Sequence, residues 1–189
     1  NQIEREINLL RGENSGTVKV GIVSSFASRW LSARLTNFFE ICPDLSLKIE
    51  SINSIDEFSK ANFSIAILWG DGWSDFEYEL LMSSSSYILG NRKIYDHTKS
   101  LSLEEAMKKT PLLSDGFYGG HGGVKAWHKT ANLEYKPSKS SLKITDAFTR
   151  LQAVIDGQGI ALWDELVDEE IKSGKLFYIS DIELQGFGY

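Results

Sequence analysis

Apolar positions along the chain switch between two spacings. "TVKVGIV" (17–23) alternates and is rich in β-branched residues, which predicts a strand. Directly after it, Ala27, Leu31, Leu35, Phe38 and Cys42 recur at helical spacing, predicting a helix over 25–42 that stops before Pro43. "LSLKIES" (45–51) returns to period two, and Ser54 with Glu57 has capping-box spacing for a short helix, "IDEFSKA". "FSIAILW" (63–69) is a continuous apolar run, expected of a strand buried on both faces. Strand, helix, strand, helix, strand predicts a parallel sheet with helices on both sides, an α/β fold.

The second half is less regular. "YELLMSSSSYILGN" (78–91) predicts one extended passage, with four serines between its apolar halves. "SLEEAMKKTPLL" (102–113) predicts a short helix with Ser102 or its neighbour as cap and Pro111 closing it. "SDGFYGGHGGVKAWHKTAN" (114–132) is glycine-rich and then helical. "LKITDAFTRLQAVIDGQGIALW" (142–163) predicts a strand, a helix opened at Thr145-Asp146 and stopped at Gly157, and a second strand. "DELVDEEIKSG" (164–174) predicts a further helix, and "KLFYIS" (175–180) a last strand. At the other end, Ile3, Ile7 and Leu10 fall on one helical face and charges fill the rest, so residues 1–14 read as the end of an amphipathic helix that began earlier, in a longer protein.

Composition narrows the function class. A net charge of −6, with both signs mixed along the chain, lacks the basic footprint of a surface that grips phosphates. The one cysteine, Cys42, leaves no intramolecular disulfide and no thiolate metal cluster, a usage that suits a reducing cytosol. No apolar stretch approaches the roughly 18 residues of a membrane span, and the first residues lack the features of a signal peptide. A cytoplasmic location is therefore expected.

The order of elements, together with "SSFASRWLSARLTNFFEICPDL", "FSIAILWGDG" and "ITDAFTRLQAVIDGQGIALW", resembles the effector-binding domain of LysR-type transcriptional regulators, in the branch of the glycine-cleavage and β-lactamase activators. The resemblance covers nearly the whole chain. It implies a fold like the type 2 periplasmic binding proteins: two Rossmann-like lobes joined by two crossover strands, with a small effector held between them. Lobe I would comprise 17–83 and 177–189, and lobe II 84–176. "LLMSSSSYIL" would be the first crossover, and the stretch entering "KLFYIS" the second. Residues 1–14 would end the linker helix from a winged helix-turn-helix, which with the C-terminal end of the fold lies outside this chain. The family also implies a homodimer, with a tetramer open to the full protein, and DNA contact through the N-terminal domain. Three features depart from the family: Ser64 stands where an Asp is usual, "FYGGHGG" is unusual, and the chain stops at "LQGFGY".

The candidate site follows from where strands hand over to helices. Ser24 and Ser25, with Phe26 beside them, lie at the carboxyl end of a predicted parallel strand, where N–H groups and the helix dipole favour an anion. Open α/β sheets hold ligands there. The plain alternative is an N-cap that serves its own helix, worth about 1 kcal/mol. A nucleophile is the third option, but "G-x-S-x-G" is absent and no histidine lies near in sequence. Ser51 and Asn53 after the second strand, and Trp69-Gly70 after the third, would open on the same edge. In the second lobe, Thr145-Asp146 mirrors Ser24-Ser25, and Ser114-Asp115 sits where family members contact effector. An Asp146 facing the ligand would favour an amino group, and with an anion site opposite it would select a zwitterion. His121 and His128 suggest a metal only if one helix carries both, and no carboxylate completes a ligand set. "GGHGG" lacks the G-K-[ST] ending of a phosphate loop. No cofactor or metal is expected. The reading is an effector-sensing and oligomerisation domain of a bacterial regulator rather than an enzyme. A solute-binding receptor for transport, on the same fold, is the alternative.

Overall fold

The computed structural model of the chain describes residues 17–70, 75–115, 123–136 and 142–189. The expected linker helix at 1–14 and the glycine-rich run around His121 lie outside these residues. Two compact units divide between Leu68 and Trp69.

In the first unit, strand β1 (Thr17–Ile22) pairs in parallel with β2 (Ser46–Ser51) on one side and β3 (Ile65–Ile67) on the other. Ile22 stands opposite both Ser51 and Ile67, so the three strands end level and their loops leave along one edge. Because strand order is β2-β1-β3, β3 is an edge strand, and Ile65 is 53% exposed rather than buried on both faces. A continuous apolar run does not specify how many neighbours a strand has.

The helical run 24–41, α1, is not the uniform helix its spacing predicts. One α turn (Ser24–Phe26) leads into a π turn (Ala27–Leu31), a 3-10 turn (Ser32–Arg34) and a last α segment (Leu35–Ile41). The Ser28 and Ser32 hydroxyls donate back to the carbonyls of Ser25 and Ser28, competition for the backbone that bends helices. Short helix α2 (Ile55–Lys60) is capped as predicted, Ser54 Oγ accepting from the Glu57 N–H at 3.3 Å. Val20, Ile22, Phe26, Ile52 and Leu68 are buried.

The second unit is built around β4 (Ser83–Gly90), which is antiparallel to β5 (Ala161–Trp163), β6 (Phe177–Tyr178) and β7 (Leu184–Gly188). No strand was predicted within "LQGFGY"; β7 forms there because β4 supplies its ladder, extended by reciprocal bonds between Tyr189 and Met82. Segments 69–83 and 177–189, which the sequence reading groups with lobe I, fall in the second unit in this division. Helices α4 (Leu103–Lys109), α5 (Val124–Thr130) and α6 (Ala147–Ile155) follow the predicted segments, whereas α3 (Arg92–Thr98), capped by Asn91, forms where the sequence pattern names no helix; Ser102 and Glu105 close a complete capping box on α4. The segment 164–174 starts as a 3-10 turn (Glu165–Val167) before α7 (Asp168–Lys172).

Period two along the strands makes two cores. Leu89, Ala161 and Trp163 pack with Leu113, Leu151, Val154 and Val167, while Ile88 and Ile160 pack with Trp127 and Leu184. At Gly159 a Cβ would lie 2.3 Å from the Pro111 carbonyl oxygen. Its absence lets segment 111–113 approach, with Ile160 N–H donating to Pro111 and Leu113 N–H to Ile160.

Candidate functional site

The carboxyl edge of the first unit's sheet carries Ser24, Ser25, Ser51 and Asn53 as expected. Ser24 and Ser25 do not cap α1: the N-cap position is Val23, and no side chain bonds the helix start. Ser24 Oγ is buried and makes no hydrogen bond. A buried hydroxyl without a partner costs roughly 1–3 kcal/mol, so its place needs a reason. Among the described residues no base pairs with that hydroxyl, and all three histidines of the chain lie beyond residue 90 in sequence. Phe26 is fully buried and stacks on Trp30 at 4.8 Å, so its ring serves the core and only its main chain can face a ligand. Asn53 donates its N–H to Glu57 Oε1, extending the α2 cap.

Trp69 and Gly70 are engaged within the second unit. The Trp69 indole N–H donates to Ser84 Oγ at 2.7 Å and its ring stacks on Phe187, while Gly70 N–H donates to the Gly188 carbonyl.

Ser114-Asp115 and Thr145-Asp146 come together in that same unit. Ser114 N–H donates to Leu142 and Ile144 N–H to Ser114, so the two segments run side by side and parallel. Asp146 is the N-cap of α6: Oδ1 accepts from the Thr149 N–H at 2.8 Å and hydroxyl at 2.7 Å, bonds that hold its pKa below the ordinary range. Ser114 is buried and Thr145 exposed.

Four residues beside these segments gave no sequence signal. Arg150, a turn into α6, donates from Nη1 to the carbonyls of Ile144 (2.6 Å) and Thr145 (3.3 Å) and lies over the Trp163 ring, 5.1 Å from its centroid. Desolvation lowers its pKa, opposed by the charges of Asp115 and Asp146. The Trp163 indole N–H is buried without a partner. Asp164 is buried, caps the turn after β5 by accepting from the Leu166 N–H, and accepts from the Tyr189 hydroxyl at 2.8 Å. Desolvation pushes its pKa up to about 6. In sequence Arg150 resembles a solvated helix charge and Asp164 a plain cap; only the long-range contacts reveal otherwise.

Among the described residues no group of three or more His, Cys, Asp or Glu side chains is placed to hold a metal. His121 lies outside them, and His128 is a core residue of α5, its Nδ1 donating to the Val124 carbonyl, with a pKa lowered by burial.

Residues 11–185 match the family described as the LysR substrate binding domain. The chain belongs to that family. It is 24% identical over 163 residues to the glycine cleavage system transcriptional activator of Escherichia coli K12, covering 85% of this chain and 52% of the relative. It is 26% identical over 179 residues to the HTH-type transcriptional regulator PerR of the same organism, covering 93% and 58%. The chain thus spans little more than half the length of these relatives. Among solved structures, the effector domain of the regulator AmpR of Pseudomonas aeruginosa superposes with a TM-score of 0.76 at 20% identity, covering 92% of this chain and 82% of that one. The regulatory domain of CrgA from Neisseria meningitidis gives 0.69 at 18% identity, covering 91% and 86%. The fold is therefore the type 2 periplasmic-binding-protein-like α/β fold, and the chain is the effector-binding domain of a LysR-type regulator. A transport receptor is not favoured, since these relatives are transcriptional regulators. No helix among the described residues is long and apolar enough to cross a membrane.

Proposed function

We propose that the chain senses a small, carboxylate-bearing effector whose oxygen is received at the β1–α1 turn by Ser24 and Ser25. The observation that carries this is the Ser24 hydroxyl, buried and unpartnered at a helix start that no side chain caps. An effector oxygen there accepts from the hydroxyl and from the first N–H groups of α1. Ser51 and Asn53 share that edge and supply further contacts. In the second unit, Ser114-Asp115 and Thr145-Asp146 bring further polar groups together. The action is binding without covalent chemistry, and regulation arises from differential affinity for two conformations.

In the parent protein this domain also joins subunits into a homodimer in the cytoplasm, with DNA held by a separate N-terminal domain. The apolar residues that α1 leaves open, Phe39 at 40% and Ile41 at 80% exposed, support a role in subunit contact.

Thermal unfolding against a panel of small carboxylates and carbonyl compounds tests the effector site. A ligand at 100 times its Kd adds about 2.7 kcal/mol, a rise of roughly 5–10 °C at this size. The rise is expected in the wild type and absent in Ser24→Ala and Ser25→Ala. A rise that both variants retain refutes the turn as the binding site.

A further inference from the structure

Arg150 is a half-buried cation whose fork is only half used. Nη1 donates to the carbonyls of Ile144 and Thr145, and the guanidinium rests on the Trp163 ring. Among the described residues Nε and Nη2 have no hydrogen-bond partner, and no carboxylate stands within ion-pair distance. A guanidinium drawn out of water without a close counter-ion is costly, and its planar fork matches a carboxylate with two parallel bonds. The buried, unpartnered Trp163 N–H belongs to the ring that carries it. Both carbonyl bonds fix the guanidinium beside the segment that leads into Thr145-Asp146 and is paired with Ser114.

The surrounding charge decides what kind of anion fits. Asp115 and Asp146 act on Arg150 through space without pairing with it directly. A plain anion would gain the fork and meet two carboxylates. A ligand that carries an ammonium group beside its carboxylate gains from both signs. Asp146 can serve without giving up its cap, because both Thr149 bonds go to Oδ1. We propose that Arg150 anchors the carboxylate of a free α-amino acid whose ammonium group faces Asp115 and Asp146. This deepens the effector-binding reading and rests on it.

The test follows thermal unfolding of the chain, Arg150→Met and Arg150→Lys with each protein-forming amino acid in turn. Any amino acid that shifts the wild type is then replaced by its carboxamide and by the matching 2-hydroxy acid. The wild type is expected to gain several degrees with at least one amino acid. The carboxamide gives no shift, and the 2-hydroxy acid binds at least about tenfold more weakly, since it lacks the ammonium. Arg150→Met loses the shift. Arg150→Lys, which keeps the charge but not the fork, needs about tenfold more ligand; with the carboxamide arm it carries the test if Arg150→Met does not fold. No shift from any amino acid overturns the proposal, as does a shift that survives in Arg150→Met or with the carboxamide. A shift lost in Ser24→Ala but kept in Arg150→Met overturns this inference alone. A shift lost in Arg150→Met but kept in both serine variants overturns the β1–α1 turn alone.

Discussion

Tyr189 Oη donates a 2.8 Å hydrogen bond to Asp164 Oδ2, joining the last residue of the chain to the start of the turn after β5. Burial and that bond act on Asp164 in opposite directions. Desolvation raises its pKa from an ordinary 3.8 to about 6, while the Tyr189 bond favours the ionised form.

Asp164 therefore makes stability fall as pH rises. Between pH 4 and 6 the unfolded chain has already released this proton and the folded chain still holds it, so the contribution is complete below pH 4 and gone above about 6. Its size is on the order of 3 kcal/mol. Urea unfolding at pH 4.5, 5.5 and 7 checks this. The wild type is expected to lose stability relative to Asp164→Asn across that range; parallel profiles for the two proteins would contradict it.

Serines at helix starts divide into two kinds. Ser54 and Ser102 cap α2 and α4, and Ser102→Ala is expected to cost about 1 kcal/mol. Ser24 caps nothing, and its hydroxyl is buried without a partner. Ser24→Ala is expected to leave the ligand-free chain as stable as before, or more stable by about 1 kcal/mol. Chemical denaturation of both variants separates the two cases, and a loss above about 1 kcal/mol in Ser24→Ala would show that the hydroxyl serves the fold.

Asp146→Ala removes the cap of α6 and is expected to cost about 1 kcal/mol, whereas Asp146→Asn retains an acceptor for Thr149 and stays within a few tenths of the wild type. Denaturant midpoints compared at equal slope read the difference.

Most of the first unit was legible, because each handover between periods two and 3.6 coincides with a real boundary: β1 into α1 at Val23, β2 into α2 through the Ser54 cap. Caps at Ser54, Ser102 and Asp146 were readable because their partners lie three residues away. What failed depends on distant chain. The edge position of β3 is set by where β1 and β2 pair, and β7 exists because β4 offers it a ladder. The candidate site divides the same way. Ser24 was visible as a hydroxyl at a strand end, but that it is unpartnered depends on burial, and Arg150 and Asp164 acquire their character from Trp163 and Tyr189 across the fold.

Gly159 and Gly174 separate crowding from backbone strain. Gly159→Ala places a Cβ against the Pro111 carbonyl and is expected to cost about 1–3 kcal/mol by forcing segment 111–113 away. Gly174 has a φ of 73° and open space around it, so Gly174→Ala is expected to cost about 1 kcal/mol from conformation alone. Thermal unfolding ranks the two; an equal or reversed order would contradict the close approach at Gly159.

In the proposed function the β1–α1 turn receives the effector. Amide chemical shifts of the labelled chain, followed while a compound that raises the unfolding temperature is added, test it most directly. Ser24, Ser25 and Phe26 are expected to move first and furthest within the first unit, with saturation matching the thermal Kd. Saturable binding that leaves these three amides unmoved would contradict it.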